Sequence, residues 1–122
     1  MPIVDIELVC DSKAEFATAS ARALADAIGQ ALGSEPGHTW VRLRFLASNA
    51  YAENQATVEG ADLPAFVTVL HAHPPNGEAL ATEAMALTLA VAQCLARATD
   101  RVHVQYAPAA AGRQAFGGTL VR

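Results

Sequence analysis

PIVDIELV at residues 2–9 and TWVRLRFL at residues 39–46 decide the fold. In the first, Val4, Ile6 and Leu8 alternate with Asp5 and Glu7; in the second, Val41, Leu43 and Phe45 alternate with Trp40, Arg42 and Arg44. Alternation with period two sends successive side chains to opposite faces, so each segment predicts a strand with one face in a core and one polar face. A helix signal lies between them. Ser12 with Glu15 three residues later forms a capping box, and Phe16, Ser20, Leu24, Ala27, Ile28, Ala31 and Leu32 recur at helical spacing until Gly33 stops them. After the turn Ser34-Glu35-Pro36-Gly37, the second strand completes a strand–helix–strand unit over residues 2–47.

The same unit is written a second time over residues 64–107. The polar, aperiodic run from Ser48 to Asp62 predicts a linker over 48–63. PAFVTVLHAH, Pro64 to His73, predicts a third strand ended by Pro74-Pro75; Asn76 then caps a helix carrying Leu80, Ala84, Leu87, Val91, Cys94, Leu95 and Ala98. RVHVQYA, Arg101 to Ala107, predicts a fourth strand. Each half is a βαβ unit with parallel strands and a right-handed crossover, so the pair predicts an α/β (α+β) fold. The expected architecture is a single domain over 1–122, with a four-stranded sheet and two helices on one face. The tail GRQAFGGTLV at 112–121, with Gly117-Gly118 between short apolar pieces, predicts a closing hairpin. Strand parity leaves the other sheet face bare, carrying Asp5, Glu7, Arg42, Arg44, Thr68, His103 and Gln105.

Charged residues are only 16% of the chain, which is sparse cover for a monomer and points to area buried between subunits. A net charge of −4 without any Lys/Arg cluster argues against a nucleic-acid or anionic-membrane surface. Cys10 and Cys94 form no C-x-x-C or Cys/His pattern, so no disulfide framework or zinc site is expected; two free thiols in a cytoplasmic protein are. Neither a secretory signal nor an apolar stretch able to cross a bilayer is expected.

Pro2 directly after Met1, opening the first strand of a doubled βαβ chain, resembles the tautomerase superfamily. PIVDIEL is similar to the N-terminal strand of 4-oxalocrotonate tautomerase and AFGGTL, residues 115–120, to its glycine-containing hairpin. DRVHVQY, Asp100 to Tyr106, is similar to the corresponding strand of macrophage migration inhibitory factor, and the doubled layout follows that branch and the 5-carboxymethyl-2-hydroxymuconate isomerases. The resemblance implies a homotrimer with sites between subunits, acting on a small carboxylate without cofactor or metal. It also implies that Pro2, once Met1 is removed, is the catalytic group. Its secondary amine would titrate near ~8 in water, and an apolar pocket beside a guanidinium would lower that towards neutrality, where a general acid/base works best.

The same resemblance distributes the substrate-binding roles. Arg42, in WVR, falls where the family has a strand arginine, and Arg44 shares its face; a planar guanidinium suits a carboxylate, although pairing of both arginines with Asp5 and Glu7 is the structural alternative. His103 and Gln105 align with oxygen-binding groups that a neighbouring subunit contributes. Phe116 matches an aromatic pocket wall. His71 and His73 lie near two arginines of dehalogenase-like relatives, where this chain has His71 and Pro74 instead. Tyr51 and Glu53 could supply a lid hydrogen bond and a water-activating carboxylate, and Arg113 could reach the substrate carboxylate. The expected activity is tautomerisation of a 2-oxo or 2-hydroxy unsaturated acid. The alternatives are hydratase, dehalogenase or decarboxylase chemistry on the same proline, or a non-catalytic interaction module.

Overall fold

The computed structural model describes residues 2–122. Strand β1 (Ile3–Cys10) pairs in parallel with β2 (Trp40–Ala47) and antiparallel with β3 (Ala65–Leu70), which pairs in parallel with β4 (Val102–Tyr106). The order β2-β1-β3-β4 is that of two βαβ units joined back to back through their first strands. A separate hairpin, β5 (Ala115–Phe116) and β6 (Thr119–Leu120), follows, with Gly117 and Gly118 both at positive φ in its turn. Glycine takes that conformation without steric cost, which is why the turn carries two of them.

The helical part of the first unit is divided. Ser12 does cap a helix, its hydroxyl accepting from the Glu15 amide at 3.1 Å, but that helix, α1 (Lys13–Phe16), lasts one turn. The Thr18 hydroxyl donates to the Glu15 carbonyl at 2.7 Å, a local bond that competes with helix continuation, and Ser20 starts afresh by capping Ala23. Ser20 is therefore a cap of α2 (Ala21–Leu32) rather than part of an apolar stripe. Gly33, at φ +64°, ends α2 in a Schellman motif, with Ser34 N donating to Gly29 O and Gly33 N to Gln30 O.

The long helix α3 (Gly77–Leu95) is capped at Asn76 without a side-chain hydrogen bond. Against expectation, it is long and apolar enough to cross a bilayer by length and composition. It instead lays Leu87, Val91, Ala92 and Leu95 into the core, beside α2, while Cys94 stays exposed. Strand β3 stops at Leu70, three residues short of the predicted end, because from His71 onward the chain bonds to the segment after β4: Ala110 N to His71 O and Ala111 N to Ala72 O.

The core lies between the helices and one sheet face. Val4, Ile6, Leu8, Cys10, Val67 and Val69 meet Leu24, Ile28, Leu87 and Val91, all buried. Burial pushes the Cys10 thiol up in pKa, reinforced by the charge of Glu15, so it packs as an inert apolar group. Truncation of Ile28 to Ala, where no solvent reaches the side chain, is expected to cost ~2–5 kcal/mol in chemical denaturation. Ala96, which closes α3 at φ +53°, is strained relative to glycine; Ala96→Gly should stabilise the fold by ~1 kcal/mol and raise the melting temperature.

Candidate functional site

The sheet face opposite the helices is open and polar. A groove of about 450 Å³ crosses it, lined by Glu7, Arg44, Phe66, Thr68, His103 and Gln105 among others. Strand parity put these side chains there, and register brings them together: Glu7 lies beside Arg44 and Phe66, Phe66 beside His103, and Thr68 beside Gln105. The Gln105 amide donates to the Thr68 hydroxyl at 3.0 Å, which fixes its orientation. The imidazole of His103 packs on Phe66, with ring centroids 5.6 Å apart.

The two strand arginines differ. Arg42 forms a fork with Asp5, Nε to Oδ1 at 2.5 Å and Nη2 to Oδ2 at 2.8 Å. Hydrogen bonding to Arg42 outweighs partial burial and holds the Asp5 carboxyl below the usual range. Arg44 has no ion pair among the described residues, although Glu7 is its register neighbour. The structural alternative thus holds for Arg42 and not for Arg44.

Tyr51 and Glu53 are also brought together. The Tyr51 hydroxyl donates to Glu53 Oε2 at 2.6 Å, and Arg101 Nη2 reaches the same oxygen at 2.5 Å while its Nε donates to the Asp62 carbonyl. Those two hydrogen bonds, from Tyr51 and then Arg101, hold the Glu53 carboxyl below its ordinary range. Tyr51 packs on Phe66, with centroids 5.8 Å apart, so aromatic contacts run from the 48–63 linker to His103.

Pro2 lies at the other end of the sheet. It is buried, and its carbonyl accepts from the Trp40 amide at 3.1 Å. Phe116 reaches this end of the sheet, edge-on to the Trp40 ring at 5.3 Å. His71 follows the buried parity of Val67 and Val69 and turns towards α3, its Nε2 2.8 Å from Glu83 Oε2. His73 is exposed and bonds the Arg122 carbonyl at 2.9 Å. Arg113 is exposed beside the hairpin. Met1 lies outside the described residues.

His103 and Gln105 do not meet Pro2 within one chain. His103 flanks Phe66, which is level with Glu7, five residues along β1 from Pro2 and so roughly 17 Å away. Glu83, Tyr106 and Arg101 are functional candidates that sequence reasoning passed over. The signal for Glu83 was available, since α3 carries only one acid besides Glu78 at its first turn.

This architecture is the tautomerase-superfamily fold. The chain is similar to a fused 4-OT that forms a symmetric trimer, at 20% identity and a TM-score of 0.72 over 98% of this chain and 94% of that one. It is similar to a macrophage migration inhibitory factor from Oncomelania hupensis at 18% identity and a TM-score of 0.73, covering 100% of this chain and 83% of the other. A malonate semialdehyde decarboxylase matches at 16% identity and a TM-score of 0.63, over 94% and 90% of the two chains. No protein-family model and no curated protein sequence matches the chain.

The Glu53 cluster has a pH signature. Its carboxyl titrates lower in the fold than the ordinary 4.5, so its tie to Tyr51 and Arg101 is intact above that pH and is lost as pH falls through the depressed value. The protection factors of amides across residues 48–63, corrected for the intrinsic slowing of exchange in acid, should therefore fall below pH 4.5. Glu53→Ala should show the reduced protection at neutral pH already.

Proposed function

We propose that the protein is a cofactor-independent tautomerase, in which the N-terminal amine of Pro2 transfers a proton between carbon and oxygen of a small 2-oxo or 2-hydroxy unsaturated carboxylate. The observation that carries this reading is Pro2 itself: a buried proline heading the central strand, at the Trp40–Phe116 end of the sheet. An amine there is desolvated, which disfavours its ammonium form and supports a base active near neutral pH. The similar malonate semialdehyde decarboxylase adds support for this position, since its crystal structures include a mutant with the proline at its first position replaced by alanine.

Arg44 is the residue to hold the substrate carboxylate, because Arg42 is already neutralised by Asp5. His103 and Gln105 donate to the substrate oxygens, and they do so for the Pro2 of a neighbouring subunit, given their distance from their own. That requirement, with the sparse charge and the trimer formed by the 4-OT relative, supports a homotrimer. A second reading, addition of water or decarboxylation with a protonated Pro2, is favoured by Glu53 alone, a carboxylate kept ionised with Oε1 free of hydrogen bonds among the described residues.

Mass spectrometry should find Met1 removed. Pro2→Gly should then reduce ketonisation of phenylpyruvate or 2-hydroxymuconate by a factor of ~10²–10⁴, the contribution expected of a positioned acid/base. An unchanged rate would falsify the assignment. Arg44→Ala should raise KM by about tenfold or more, the loss of a charge-assisted bond, whereas Arg42→Ala should change KM less. Light scattering should give three chains per particle.

A further inference from the structure

On the helix side of the sheet, two polar side chains share one oxygen of a third. His71 Nε2 lies 2.8 Å from Glu83 Oε2, and the Tyr106 hydroxyl donates to the same atom at 2.7 Å. The His71 and Tyr106 rings are stacked, 12° from parallel with centroids 6.1 Å apart. His71 and Glu83 are 14% and 17% exposed, so this is a largely desolvated cluster at the edge of an apolar core. Buried polar groups of this kind cost stability unless satisfied, and an apolar trio would fill the space without that risk.

Its position ties it to the amine. Ile3 and Leu70 are the last pair in the antiparallel register of β1 and β3, so Pro2 and His71 are the residues that directly flank the end of that ladder. Both follow the buried parity of their strands, Pro2 after Val4 and Ile6, His71 after Val67 and Val69. Against an ionised Glu83 the shared proton sits on His71 Nε2, and in the neutral imidazole Nδ1 is then an acceptor; it has no hydrogen bond among the described residues.

We propose that Glu83 and Tyr106 are positioning residues that act through His71, presenting an imidazole acceptor and a nearby negative charge that stabilise the protonated form of Pro2. The inference rests on the proline reading above and deepens it. Burial alone would drive the amine to very low basicity; the cluster opposes this and keeps a proton available for return to substrate. Tyr106 stays a donor throughout, since burial, then its bond to Glu83 and that residue's charge, push its hydroxyl far above the usual tyrosine range. Among the described residues, the other charged or titratable groups at this end include His73, bonded to the carbonyl of Arg122, Arg122 itself, and the Asp5–Arg42 pair on the opposite face, which is internally neutralised.

The test titrates the amine directly, by NMR of mature protein carrying ¹⁵N-proline, and compares it with the pH dependence of kcat/KM for phenylpyruvate ketonisation. Glu83→Gln should lower the Pro2 pKa and move the acid limb of the profile down by about one pH unit, the scale set by loss of one nearby charge. His71→Ala should do the same, and the double variant should add little. Tyr106→Phe should give a smaller shift in the same direction. If Glu83→Gln fails to fold, His71→Gln keeps the comparison, as it removes the imidazole while retaining a polar side chain of similar reach. An amine that titrates identically in folded Glu83 and His71 variants overturns this inference and leaves the proline reading standing. A chain that retains Met1 overturns both.

Discussion

The antiparallel pairing of β1 with β3 is the constraint on which the rest depends. It sets the two βαβ units head to tail, so the apolar residues of both central strands, Val4, Ile6 and Leu8 with Ala65, Val67 and Val69, fall on one face under α2 and α3. A shift of one residue would reverse every side chain and put Asp5, Glu7 and Thr68 beneath the helices. Burying those groups unpaired costs several kcal/mol together, about the whole stability of a domain this size, so the hydrophobic pattern fixes the register. The same register makes the opposite face polar. Core and candidate groove are two consequences of one pairing.

Polar groups that do enter the interior are satisfied. Among the described residues no buried side-chain nitrogen or oxygen lacks a partner. Arg97, whose side chain is 7% exposed, donates to the carbonyls of Leu63, Leu95 and Val9 and lies 3.5 Å from Glu15. It thereby closes the end of the sheet opposite Pro2, fastening α3 to the start of β3 and the end of β1. The pseudo-repeat is consequently unequal. Pro64, the counterpart of Pro2, is buried next to Leu63, whose carbonyl this guanidinium holds, while the Pro2 carbonyl accepts from the Trp40 amide. Two similar units thus differ at their strand-opening prolines, the Pro64 end being tied down by Arg97.

Period-two alternation carried the strands, and with them the open face, because burial on one side imposes a pattern that survives any choice of residue. Helix limits were less legible. The break at residues 17–20 arises from the Thr18 hydroxyl bonding the Glu15 carbonyl, a choice between two local hydrogen bonds that periodicity does not register. The end of β3 is hidden from the pattern because His71 continues the alternation of Val67 and Val69 although its backbone has left the ladder for Ala110. The division between Arg42 and Arg44 is equally hidden. Both sit opposite an acid in register, and only side-chain geometry decides that Asp5 is engaged and Glu7 is not.

That division bears on how the open face could be covered. Arg42 and Asp5 satisfy each other with two parallel bonds, so a partner surface laid over them desolvates a pair rather than two isolated ions. Arg44, His103 and Gln105 differ, because their remaining donors have no acceptor among the described residues. Covering them without a ligand would strand a charge, whereas a bound carboxylate would complete it. On the proposed reading the face is therefore both an interface and a site, and a substrate anion replaces the counter-charge that Glu7 withholds. The separation of His103 from its own Pro2 follows from the same logic. A flat sheet presents its strand ends on opposite edges, and only a second chain can bring the head of one β1 against the groove of another.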